Sequence, residues 1–139
     1  MECVEINPVG QFDTWEPTKV AELTRNEISD CLGQKLLFEN DNILVWEVAL
    51  VPYERLPFRK IQRDFNLTSL TEGLVIRRFG DGKINLVRLQ KGDSAFYEFD
   101  GEETVYDLEN IGEQPILLNI VEFKPFSISK QSINRESHL

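Results

Sequence analysis

Between residues 36 and 124 the chain reads as one short strand after another, and nothing in that stretch has the period of a helical crossover. LLFEN, ILVWEVALV, GLVIRRF, KINLVRL, SAFYEF, TVYDLEN and PILLNIVEF are rich in β-branched and aromatic residues. Turn formers separate them: Glu39-Asn40-Asp41-Asn42, Gly80-Asp81-Gly82, Lys91-Gly92-Asp93, Asp100-Gly101 and Ile111-Gly112-Glu113-Gln114-Pro115. Asp81-Gly82, between VIRRFG and KINLVRL, predicts a tight hairpin, because Gly supplies the positive φ that such turns need. Parallel strands would need long crossovers, and none are present. The pattern therefore predicts an all-β barrel or sandwich.

The flanks read differently. In residues 1–35, Pro17-Thr18-Lys19-Val20-Ala21-Glu22-Leu23 predicts a short helix with proline in its first turn. Thr24-x-x-Glu27 matches a capping box and predicts a second short helix. Val20, Leu23, Ile28 and Leu32 are expected to lie against the barrel wall. Cys3-Val4-Glu5-Ile6 is expected to be extended and able to add to a partner's sheet. This gives an N-terminal extension over 1–35, packed on the barrel or on a partner, a barrel over 36–126, and a polar tail over 127–139. Phe126 and Ile128 are expected to pin the tail's start to the body.

Composition narrows the class of function. The chain has 139 residues, 41% hydrophobic with nine Phe, enough for one core. A net charge of −9 opposes nucleic acid and anionic lipid as partners, since both need a positive footprint. The two cysteines, Cys3 and Cys31, form no CxxC pair and read as reduced thiols. MECVEINPVG lacks a basic region followed by an apolar run, and no stretch is apolar enough to span a membrane. The expectation is a soluble, cytoplasmic protein.

The order and wording of the strands resemble small single-domain cupins, proteins built on a double-stranded β-helix or jelly-roll barrel. The family's first motif is G-x5-HxH-x4-E-x6-G. With Tyr53 of Pro52-Tyr53-Glu54 in the first Gly position, the two His positions fall on Arg59 and Ile61, the Glu position on Asn66, and the closing Gly on Gly73. LQKGDSAFYEFDG resembles the second motif's Gly-Asp strand, and ENIGEQPI its Asn-x-Gly-x-x-Pro turn. Anchored on Asn110, the remaining histidine position is Tyr106; anchored on Gly101, it is Thr104. The two choices lie on one strand face.

The resemblance implies an all-β cupin barrel with a short, partly helical extension, and it also exposes a departure. Cupin enzymes generally hold Fe, Mn, Ni or Zn with three His and one Glu, whose lone pairs converge on one point. This chain has one histidine, His138, next to last. Arg59 has no lone pair to donate, and Ile61 has no donor atom. No metal and no cofactor is expected.

In cupins the His-x-His positions point inward, which implies that Arg59 and Ile61 do so, with Arg63 and Phe65 following by alternation. Arg59 has three readings: an internal salt bridge to Glu47, Glu98 or Glu122, a surface arginine, or recognition of a small carboxylate or phosphate. Only one of Arg77 and Arg78 can face inward. Arg88, across the hairpin, is expected either to complete an anion clamp or to decorate the outer face. Tyr97 and Tyr106 are polar-tipped aromatics that either bind a ligand or fill the barrel. The candidate ligand-binding residues are thus Arg59, Ile61, Arg63, Asn66, Arg77, Arg88, Tyr97 and Tyr106; no catalytic residue is assigned.

Three functions remain open. The first is a metal-free cupin that binds a small molecule, with anions among the candidates. The second is a metal-independent isomerase, epimerase or lyase, although familiar enzymes of that kind pair a tyrosine with a histidine that is missing here. The third is a structural or interaction module with a filled barrel. A homodimer is expected under each.

Overall fold

The computed structural model describes residues 1–125. His138, Phe126 and Ile128 lie outside the described residues. In chain order the elements are β1 (Glu2–Asn7), α1 (Pro17–Thr24), β2 (Lys35–Glu39), β3 (Ile43–Leu50), β4 (Arg55–Ile61), β5 (Phe65–Ser69), β6 (Gly73–Arg78), β7 (Ile84–Leu89), β8 (Ser94–Tyr97), β9 (Thr104–Asn110) and β10 (Ile116–Phe123). They form two five-stranded antiparallel sheets, β1-β7-β6-β9-β4 and β2-β3-β10-β5-β8.

Alternation builds the core. Along β3, Leu44, Trp46, Val48 and Leu50 are buried, while the residues between them are more exposed. On β10 the inward set is Ile116, Leu118, Ile120 and, at the far end, Glu122. Each large apolar side chain removed from water here contributes about 1.5–3 kcal/mol.

The expected hairpin joins β6 to β7. Gly82 takes φ +103°, and the Lys83 amide donates to Asp81 Oδ1 at 3.0 Å. Its tip also anchors the N-terminal extension, since the Gly82 carbonyl accepts from Asn7 Nδ2 at 2.7 Å and from Trp15 Nε1 at 3.0 Å.

The extension departs from expectation at one point. The helix expected from Thr24-x-x-Glu27 does not form: α1 ends at Thr24, whose hydroxyl donates back to the Val20 carbonyl, and Asn26 takes φ +55°. Thr24 is still inside α1, and the left-handed turn at Asn26 carries the backbone away from a second helix. The Cys3–Ile6 segment is extended, as expected, and lies at the edge of its sheet. It belongs to β1, which pairs with β7 of the same chain from Glu2 opposite Arg88 onward.

Two irregularities shape the rest. On β4, Leu56 faces Leu108 and Arg59 faces Tyr106, so Pro57 and Phe58 together oppose Asp107. Such a bulge tolerates proline and turns Phe58 to the outer face, where Trp15 stacks on it at 6.1 Å. Residues 29–34 then strap the two sheets together: the Lys60 amide donates to the Ser29 carbonyl and the Gln34 amide to the Glu47 carbonyl. Leu32 drops from this strap into the core, and Gly33 presses on Trp46 so closely that no Cβ would fit.

Candidate functional site

The turn that carries the first motif locks onto the turn that carries the second. The Tyr53 amide donates to the Asn110 carbonyl at 2.8 Å, and the Asn110 amide returns a bond to the Glu54 carbonyl at 3.0 Å. Tyr53 itself sits at φ +67°, the conformation that a glycine would supply. The Asn110 side chain is fully buried and donates to the Leu50 and Gln114 carbonyls while accepting from the Gly112 amide. This interlock fixes the starts of β4 and β10 and with them the barrel interior.

Inside the barrel, a cavity of about 200 Å3 is lined by Phe65 and Leu67 of β5, Arg77 of β6, Ala95 to Tyr97 of β8, Tyr106 and Leu108 of β9, and Met1. A smaller void of about 60 Å3 adjoins it, bounded by Ile61, Phe65, Arg77, Phe79, Tyr97 and Tyr106. Phe65 and Tyr97 stack at 5.2 Å across the β5–β8 pair. The Arg77 guanidinium lies 5.1 Å from the centre of the Phe79 ring.

Two polar atoms within this space have no hydrogen-bond partner among the described residues, the Arg77 Nε and the Tyr106 hydroxyl. Tyr106 is only 2% exposed. Burial pushes its pKa up to about 12, against the opposing pull of Arg77 and Arg59. It therefore remains a hydrogen-bond donor at any physiological pH. Larger depressions exist on the outer surface, including one of about 330 Å3 beside Arg88 and one of about 420 Å3 beside Asp81, Asp100, Glu102 and Glu103. Neither contains a buried polar atom left without a partner, so the smaller interior cavity is the better candidate.

Ile61, Arg77, Tyr97 and Tyr106 are thus brought together as expected candidates. The other four stand elsewhere. Arg59 faces Tyr106 across the β4–β9 ladder, but it spends Nε on the Pro57 carbonyl and Nη1 on the Cys31 carbonyl. Burial lowers its pKa, with Tyr106 and Cys31 opposing. The internal ion pair considered for Arg59 forms instead at Arg63, whose Nη1 reaches Glu122 at 3.2 Å while Glu122 also accepts from Trp46 Nε1 at 2.8 Å. Asn66 alternates with the inward Phe65 and Leu67, and it donates to Ser94 on the outer face. Arg88 pairs with Leu74, one step from the inward Val75, so it faces out. A clamp of Arg77 with Arg88 is ruled out, because the two lie on opposite faces of one sheet.

The residues at the family's ligand positions do not fit a metal. Arg59 and Ile61 offer no lone pair, Asn66 faces outward, and Tyr106 is held protonated by burial. Among the described residues, no three His, Cys, Asp or Glu side chains converge on one point.

A second polar cluster, not anticipated from sequence, lies on the outer face of the first sheet. Asp107 is 0% exposed and accepts from Arg55 Nε at 2.6 Å, from Arg78 Nη1 at 3.0 Å and from the Arg78 amide at 2.9 Å. Glu22 of α1 pairs with Arg55, and Glu109 with Arg78. Charges of opposite sign at outward positions of neighbouring strands were legible as a signal. That the extension would cover them was not.

No family model and no curated protein matches this sequence. Solved structures do match in shape. A cupin domain from Bordetella pertussis superposes with a TM-score of 0.57 at 18% identity, covering 66% of this chain and 91% of that one. The cupin domain of Cnp3 from Schizosaccharomyces pombe gives 0.53 at 14% identity, over 70% of this chain and 68% of that one. An uncharacterised protein with a double-stranded β-helix domain from Klebsiella pneumoniae gives 0.52 at 16% identity, over 71% and 84%. With its two facing antiparallel sheets, the chain has the cupin fold. Among the described residues, no helix is long and apolar enough to cross a membrane.

Proposed function

We propose that this is a metal-free cupin-fold protein that binds a small anion inside its barrel, with Arg77 and Tyr106 as the binding groups. The observation that carries the reading is the pair of unpartnered donors in one cavity, Arg77 Nε and the Tyr106 hydroxyl. An unsatisfied buried donor costs about 1–3 kcal/mol, and a ligand oxygen would remove that cost. The ion pairs among the described residues leave Arg77 without a carboxylate. Catalysis has weaker support, because no histidine stands beside Tyr106 among the described residues to act as its proton partner.

Thermal unfolding against a panel of organic acids and sugar phosphates tests the reading. A binding anion raises the Tm by several degrees in the parent chain and in Arg59→Ala, and by nothing in Arg77→Ala. A panel that leaves the parent chain unmoved defeats it.

Self-association is a second part of the proposal. The extension covers the outer face of the first sheet around Asp107 and Phe58, whereas among the described residues no element packs on the outer face of the second. Phe38, Phe96 and Phe123 are exposed there beside Val45 and Val121, a patch suited to a second copy. Sedimentation showing only monomer at high concentration would remove this part.

A further inference from the structure

Among the described residues, the cavity holds one guanidinium without a carboxylate, Arg77; the Met1 ammonium at its edge is tied to Asp93 Oδ2 at 3.0 Å. Arg59 is turned to backbone carbonyls, and Arg63 is tied to Glu122. A ligand with two negative charges would leave one of them buried without a partner, which is costly.

The walls set the rest of the chemistry. Phe65, Leu67, Ala95 and Leu108 are apolar, and the Tyr97 hydroxyl already donates to Thr104 Oγ1 at 3.2 Å. A sugar would bury several hydroxyls against surfaces that cannot bond them. The volume, about 200 Å3, lies below the roughly 300–1,000 Å3 of sites for drug-sized ligands.

Resting on the anion-binding reading above, we infer that the ligand class is a compact monocarboxylate with an apolar body, about the size of benzoate. Its carboxylate takes hydrogen bonds from Arg77 Nε and the Tyr106 hydroxyl, and its body lies against Phe65, Leu67 and Leu108. The Arg77 side chain is held for this by its packing on Phe79. Tyr106 acts as a neutral donor that favours a carboxylate oxygen over an amide nitrogen, which would meet it donor to donor.

Calorimetric titration of the full chain with benzoate tests this, with benzamide, malate, inorganic phosphate and glucose 6-phosphate as comparators. Benzoate is expected to bind, and benzamide about tenfold or more weakly. Arg77→Leu is expected to lose benzoate by a similar factor. Arg77→Gln, which keeps the length and drops the charge, guards against a folding defect, with circular dichroism and Tm followed for both variants. Binding of malate or either phosphate compound at Arg77, with none of benzoate, overturns the monocarboxylate class and leaves anion binding standing. Equal affinity for benzamide and benzoate overturns the class as well. If no anion binds, or if benzoate binds Arg77→Leu as tightly as the parent, both readings fall.

Discussion

Asp107 and Arg55 meet at 2.6 Å on the outer face of the barrel, with the carboxylate fully shut off from water. Arg78 grips the same carboxylate, and Glu22 of α1 grips Arg55 from above, so the extension is fastened to the barrel through charge. Burial raises the Asp107 carboxyl above its ordinary range, while Arg78 and Arg55 pull it back. Removing Asp107 strands two arginines. Asp107→Ala is expected to cost about 3–5 kcal/mol, the penalty for breaking a buried pair. Urea denaturation measures it, and a loss below 1 kcal/mol would contradict the buried network.

Tyr53 offers a gain. It holds a left-handed backbone at φ +67° with 68% of its surface exposed, so it has strain to lose and little packing. Tyr53→Gly is expected to stabilise the fold by about 0.5–1 kcal/mol, since the left-handed region costs a non-glycine residue about 1–2 kcal/mol and glycine loses some entropy on folding. A higher denaturation midpoint at unchanged slope is the expected readout.

Alkali provides a signature of the cavity. With its pKa raised from 10 to about 12, Tyr106 binds its proton more tightly folded than unfolded. Its contribution is therefore complete below pH 10 and is lost as the pH climbs from 10 to 12. Absorbance at 295 nm should show one tyrosine ionising near pH 12, a step missing from Tyr106→Phe. A bound carboxylate should delay that step further by placing negative charge beside the hydroxyl.

The strap over residues 29–34 belongs to the core. Leu32 is 1% exposed within it, so Leu32→Ala is expected to cost about 2–5 kcal/mol, as at a central core position. A loss under 1 kcal/mol in thermal or chemical unfolding would reduce the strap to surface decoration.

The strands, the Asp81-Gly82 hairpin and the cupin barrel were legible because alternation and turn chemistry are local. The interior of the barrel was half legible. Ile61 and Tyr106 follow from strand parity, which also required that only one of Arg77 and Arg78 face inward without saying which. Choosing Arg77 over Arg59 as the free cation was not legible, because the carbonyls that occupy Arg59 come from its own bulged strand and from a strap far away in sequence. The charges of Asp107, Arg55 and Arg78 on neighbouring strands were legible, but not their burial, because Glu22, which closes over Arg55, comes from a helix far away in sequence. The Thr24 capping box misled because Thr24 is the last residue of α1 and Asn26 turns the backbone left-handed.

The ladder from Glu2 opposite Arg88 sets an order of events. As the ribosome delivers this polypeptide, β1 has no sheet neighbour until β7 has emerged. Contacts so distant along the chain slow folding, and they leave an open edge exposed during synthesis.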